Sequence, residues 1–180
     1  DLSIDGDVFG ADMNPSMSAA CNFLSKSFVL PHVLKDEYIV ELKNLCIKES
    51  IKLVVPAIDT ELLKLAKYKQ EFKDIGITIV VSDSELVVSC RDKRLTHDLF
   101  ADIGFSVPVT YSLDNITFPC FSKPISGSLS QNIRILQSQG ELDTWDVPKS
   151  EMMYMEIISS EEFDEYTIDV YYTQDSKHIC

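Results

Sequence analysis

"EYIVELKNLCIKESIKLVVPAIDTELLKLAKYKQEFKDIGITIVVS", residues 37–82, switches three times between two hydrophobic periods. Apolar residues recur at helical spacing through 37–50, become continuous in "IKLVVPAI" (51–58), return to helical spacing in 61–76, and end as "ITIVVS" (77–82) after Gly76. Continuous apolar strands separated by helices of this length predict a parallel sheet covered on both faces. Upstream, "DVFGAD" (7–12) and "SFVLP" (27–31) read as two further strands, so the first half is Rossmann-like. No G-x-G-x-x-G follows any of these strands, and the dinucleotide fingerprint is therefore absent.

After Ser82 the pattern changes. "DSELVVSC" (83–90) and "DKRLTHDLFADIG" (92–104) read as helices, the second stopped by Gly104. "SVPVTY", "FPCFSK", "NIRILQS", "MMYMEII" and "EYTIDVYY" then read as short strands with little helix between them, which is α+β character with antiparallel hairpins. The expected boundary lies between residues 82 and 92 and assigns 1–88 to the Rossmann-like domain and 89–180 to the second lobe. Both ends read as cut from a longer protein, because the chain enters its first strand within a few residues and closes on the half-begun strand "KHIC".

With 180 residues and 45% hydrophobic content, the chain can bury roughly 70% of its unfolded surface. A net charge of −13 without a basic patch argues against nucleic acid as a partner. No apolar run approaches the length of a membrane span, so no membrane partner is expected and the setting is read as cytoplasmic. Cys21, Cys46, Cys90, Cys120 and Cys180 are odd in number, contain no C-x-x-C pair and read as reduced thiols. His32, His97 and His178 have no nucleophile signature beside them, and no catalytic triad is supported.

Three segments carry chemistry. In "FPCFSKPISGSLSQNI" (118–133) a lysine ends a strand and a Ser/Gly loop follows; Lys123 is either a solvated edge residue or a phosphate contact beside backbone N–H groups. In "CRDKRL" (90–95), Arg91, Lys93 and Arg94 fall in the first turn of an expected helix, where the dipole disfavours cations by up to about 1 kcal/mol each. Either an anion docks there or Asp92 and Asp98 answer the cluster. "MMYMEIISSEEFDEYTIDVYY" (152–172) is either a plain hairpin or a hinge offering a carbonyl and an N–H to an adenine edge, with a carboxylate for ribose hydroxyls. At a strand's carboxyl end Asp59 or Thr60 reads as a helix N-cap, with Glu61 complementing the dipole, in preference to Asp59 and Glu61 lining a ligand crevice; Asp12 and Asn14 read as a turn with Pro15.

Taken in order, "GADMNP", "LVVPAIDTEL", "CRDKRLTHDLFADIGFSVP", "FPCFSKPISGS" and "MEII…EYTIDV" resemble the ATP-grasp proteins of the carbamoyl-phosphate synthase large-subunit-like group, over almost the whole chain. The resemblance implies a pre-ATP-grasp domain lacking its opening strand, followed by the N-terminal part of an ATP-grasp domain. It implies ATP as ligand, with Lys93 toward the α-phosphate, Lys123 on the α- and β-phosphates, and Ser126, Gly127 and Ser128 as the loop over them. Glu156 and Ile158 would meet adenine through a backbone carbonyl and N–H, and Glu165, chosen over Glu162, would hold the ribose. No catalytic residue or metal ligand is implied within the chain; the Mg²⁺ ligands are expected beyond Cys180. A carboxylate or carbamate is the implied second substrate, and a homodimer is compatible with the paired halves of such a synthetase. One glycine in the loop, and none at the hinge, depart from the family pattern.

Overall fold

A computed structural model describes residues 6–127, 131–173 and 177–179, with residues 171, 178 and 179 described by backbone alone. The chain divides into two compact units, Asp1–Cys90 and Arg91–Cys180.

In unit 1, strands and helices alternate: β1 (Phe9–Asp12), a 3-10 turn at Pro15–Met17, α1 (Ala19–Phe23), β2 (Lys26–Val29), α2 (Tyr38–Lys48), β3 (Leu53–Val54), α3 (Asp59–Asp74), β4 (Thr78–Ile79) and α4 (Ser84–Arg91). The core gathers the apolar stripes of α2 and α3, including Ile39, Leu42, Leu65 and Phe72, against Ile77 and Ile79. Burying these stripes, rather than local propensity, is the main source of stability for helices of 11 and 16 residues. Gly10 allows α1 to approach β1, because a Cβ there would stand 2.7 Å from Cys21 Sγ. The sheet is not continuous as the sequence pattern suggests. β1 pairs in parallel with β2 and β3 in parallel with β4, as two separate two-stranded pairs.

Unit 2 opens with α5 (Lys93–Asp102) and is built on a four-stranded antiparallel sheet in the order β5 (Thr110–Tyr111), β8 (Met152–Met155), β6 (Cys120–Pro124), β7 (Arg134–Leu136). The register sets its two faces. Cys120, Leu136, Met152 and Tyr154 pack with Leu142 of α6 (Gln139–Thr144), while Ile125, Met153, Met155 and Phe121 form a second cluster. A short antiparallel pair, β9 (Tyr171–Tyr172) with β10 (His178–Ile179), follows. "EYTIDVYY" is therefore strand only at its last two residues. Tyr166, Ile168 and Val170 are exposed and join no ladder among the described residues, so their β propensity has nothing to pair with.

The architecture is mixed α/β as expected: small parallel sheets, then an antiparallel lobe. Among the described residues no helix is long and apolar enough to cross a membrane. Cys21, Cys46 and Cys120 are buried free thiols, and Cys90 is an exposed one.

Candidate functional site

The site elements in unit 2 start from period-2 alternation on β6. Phe121 and Lys123 share one face, and Cys120 and Ser122 share the other. On the Phe121 face a cleft of about 540 Å³ is lined by Phe121, Ile135, Met155, the main-chain run Glu156–Ser160, and Phe163, Asp164 and Glu165. Its lining combines the apolar residues Phe121, Ile135, Met155, Ile157, Ile158 and Phe163 with the acidic residues Glu156, Asp164 and Glu165. Glu156, Ile158 and Glu165 all line it; Glu162 does not.

The end of β8 has an unusual hydrogen-bond pattern. Paired antiparallel residues normally exchange both of their backbone bonds. Glu156 N–H donates to the Val109 carbonyl (2.8 Å), but Val109 N–H donates to Glu156 Oε1 (2.8 Å) instead of the Glu156 carbonyl. A side chain has replaced a main-chain acceptor. Among the described residues neither the Glu156 carbonyl nor the Ile158 N–H then has a hydrogen-bond partner, which leaves one acceptor and one donor two residues apart at the cleft.

Two residues beyond Phe121, Lys123 is half-buried, and its ammonium pKa lies below the ordinary lysine value, first because of burial and second because of the Lys93 charge. Lys93 is tied in by its backbone N–H, which donates to the Ile125 carbonyl (2.9 Å), and by its Nζ, which donates to the Gly127 carbonyl (3.1 Å). Gly127, at φ +108°, holds a conformation that a side chain would strain. Ser126 is exposed beside it, and Ser128 lies outside the described residues. Two ammonium groups in mutual repulsion, one of them partly desolvated, form a locus that an anion would relieve.

The first-turn cation cluster is resolved differently for each member. Arg91 is the last residue of α4 and not part of the α5 first turn, so its charge complements a helix C-terminus. Asp92 is the N-cap of α5; it accepts from Arg94 N–H (2.9 Å) and pairs with the Arg94 guanidinium (2.7 Å), which together hold its carboxyl at about 2. Lys93 alone is left facing the loop.

In unit 1, Asp12 Oδ1 accepts from Asn14 N–H (2.8 Å) and makes the expected turn. The expected cap at Asp59 or Thr60 is absent: Ile58 occupies the N-cap position of α3 and offers no side-chain acceptor. Asp59 and Glu61 complement the dipole from the first turn, and Glu61 Oε1 also accepts from the Tyr38 hydroxyl (2.9 Å). The apolar cleft residues Ile135, Met155 and Phe163 were not anticipated from sequence. The alternation of "CFSK" against "MMYM" carries that information once the pairing register is known.

A family model described as the PylC-like N-terminal domain matches residues 1–80. N5-carboxyaminoimidazole ribonucleotide synthetase from Thermotoga maritima is similar with a TM-score of 0.66 at 14% identity, over 97% of this chain and 45% of that one. The biotin carboxylase domain of Hydrogenobacter thermophilus 2-oxoglutarate carboxylase, a dimer in complex with MgADP, ADP and bicarbonate, gives 0.61 at 12% identity over 84% and 39%. An L-amino acid ligase from Bacillus licheniformis gives 0.56 at 15% identity over 74% and 33%. A comparison with curated proteins finds no match. The chain spans less than half the length of each of these structures. Its fold is the one these structures share, small parallel sheets followed by an antiparallel lobe, and the family match is confined to residues 1–80.

Proposed function

We propose that this chain is the ATP-binding portion of an ATP-dependent carboxylate–amine type ligase of the carbamoyl-phosphate synthase-like kind, acting in the cytoplasm through an acyl-phosphate intermediate. Residues 1–88 are read as the pre-ATP-grasp domain and 89–180 as the first part of the nucleotide clamp. The observation that carries this reading is the shared sheet face: Phe121, which lines the cleft with Glu156 and Ile158, lies on the same face of β6 as Lys123, whose ammonium feels the Lys93 charge. Adenine would present its exocyclic N–H₂ to the Glu156 carbonyl and a ring nitrogen to the Ile158 N–H, stacked over Phe121 and Met155. Glu165 would accept from the ribose hydroxyls. Lys123 and Lys93 would neutralise phosphate charge as fixed electrostatic groups, neither acid nor base, with Ser126, Gly127 and Ser128 as the loop above.

Magnesium does not fit here in the same way. Among the described residues no group of three or more His, Cys, Asp or Glu side chains could hold a metal ion. No step is therefore assigned to a metal bound by these residues, and the chain is expected to bind nucleotide without turning it over. The acceptor is a carboxylate or carbamate, and self-association into a homodimer belongs to the same proposal. A second reading, a non-catalytic nucleotide-binding module, is favoured by a loop with Gly127 as its one glycine.

Calorimetric titration with ATP and with adenosine tests the assignment. Lys123→Ala is expected to weaken ATP at least tenfold, about 1.4 kcal/mol, while leaving adenosine within twofold. Equal ATP affinity in the two proteins removes Lys123 from the phosphate site.

A further inference from the structure

The peptide between Pro108 and Val109, just ahead of β5, is held by a side chain at each of its polar groups. Its carbonyl meets His97 Nε2 of α5 at 2.7 Å, and because a carbonyl only accepts, that ring nitrogen carries the proton. Its N–H donates to Glu156 Oε1 (2.8 Å), from the residue that follows β8. Extending the register past Thr110↔Met155 sets Val109 opposite Glu156, and the Glu156 N–H already donates to the Val109 carbonyl (2.8 Å). A pair placed so would ordinarily complete its ring through the Glu156 carbonyl. The carboxylate takes that N–H instead, because a hydrogen bond to a charged acceptor is roughly twice as strong as one to a neutral acceptor. The displaced carbonyl then has no partner among the described residues.

We propose that the Glu156 side chain is a positioning residue that sets the base preference of the nucleotide site: by occupying the Val109 N–H it keeps its own main-chain carbonyl out of the β5–β8 ladder and open to a 6-amino purine. This rests on the adenine reading of the cleft given above. The Glu156 carbonyl and the Ile158 N–H are an acceptor and a donor; a 6-amino purine answers with its exocyclic N–H₂ and the N1 lone pair. A 6-oxo purine presents an acceptor and a donor in the opposite order and is rejected, since both groups of the site would be left unpaired. Discrimination therefore depends on the carbonyl staying free. Without the carboxylate, the Val109 N–H is left without its acceptor and the Glu156 carbonyl is the nearest main-chain group in register to replace it. His97 directs that exchange, because pinning the Pro108 carbonyl on α5 keeps the other end of the same peptide facing β8.

Two measurements on the whole 180-residue chain test this. The first uses ATP and purine riboside 5′-triphosphate, which differ only in the 6-amino group, in calorimetric titrations of wild type, Glu156→Ala and Glu156→Gln. Wild type is expected to prefer ATP by at least about tenfold, the worth of one good hydrogen bond. Glu156→Ala should bring that preference below about twofold by weakening ATP alone, and Glu156→Gln, which keeps an oxygen at the same reach without the charge, should fall between them. A Glu156→Ala protein that keeps the wild-type preference, or that weakens both nucleotides equally, overturns the proposal, the second outcome marking a merely structural role. The other measurement needs no ligand: scalar coupling across the hydrogen bond from the Val109 nitrogen. It should reach Glu156 Cδ in wild type and move to the main-chain carbonyl carbon of position 156 in Glu156→Ala. Coupling to that carbonyl carbon in wild type, or its absence in Glu156→Ala, overturns the proposal. Wild type that binds neither nucleotide removes the ATP reading and the base preference with it, while the coupling still decides what holds the carbonyl free.

Discussion

Ser122 and Lys123 are neighbours on β6 with opposite surroundings. The Ser122 side chain is fully buried, and its Oγ has no partner among the described residues. A desolvated hydroxyl without a partner costs about 1–3 kcal/mol, and its removal leaves a small, apolar-compatible gap. Ser122→Ala is therefore expected to be more stable by about 1 kcal/mol, read as a higher urea midpoint with an unchanged slope. Lys123 is also under strain, of an electrostatic kind: burial and Lys93 lower its folded pKa below the unfolded value. A lysine with a depressed folded pKa destabilises the fold while protonated, and the penalty fades as pH rises through the folded pKa. Lys123→Met should then melt higher than wild type near neutral pH, with the gap narrowing toward pH ~10, where the unfolded lysine also loses its proton. The sequence showed that Lys123 ends a strand before a small-residue loop. It could not show that Lys93, thirty positions away, would be folded back against it.

The N-terminus of α5 shows how an element is fixed by one side chain. Asp92 caps the helix and pairs with Arg94, and its folded pKa of about 2 lies below the ordinary aspartate value. A depressed carboxylate pKa contributes stability that is present above the unfolded value of about 3.9 and is lost as pH falls toward the folded one. Asp92→Ala should cost about 1 kcal/mol at pH 7, with the difference from wild type shrinking as pH falls through the folded value and gone only below it. Such caps also mark the limit of reading elements from hydrophobic pattern. The helices α2 and α3 were visible because their apolar stripes span three turns or more, whereas α1 and α6 have five and six residues and no stripe to detect. Ser138 with Glu141 does form the S-x-x-E spacing of a capped helix, and Ser138 Oγ accepts from Glu141 N–H (3.4 Å). That local signal is legible in the sequence, unlike an apolar stripe. The unmatched pairing of Glu156 with Val109 was not legible, because it depends on a contact 47 residues apart.

At the scale of the whole molecule, the net charge of −13 opposes the ligand that the two lysines favour. The excess of 29 acidic over 16 basic residues acts over distances comparable to the Debye length, about 8 Å at physiological salt, and is screened there. Contact between ATP phosphates and a partly desolvated lysine pair is screened much less. Added salt should therefore remove more repulsion than attraction. Between roughly 20 and 150 mM KCl, ATP association is expected to speed up severalfold, with overall affinity flat or rising, as measured by stopped-flow and titration across the series. A steep fall in affinity with salt would instead assign binding to exposed cations on the surface and would remove Lys93 and Lys123 from the centre of the site. The lysine pair can be a phosphate site on so acidic a chain only if its attraction is local, and the salt series tests that condition directly.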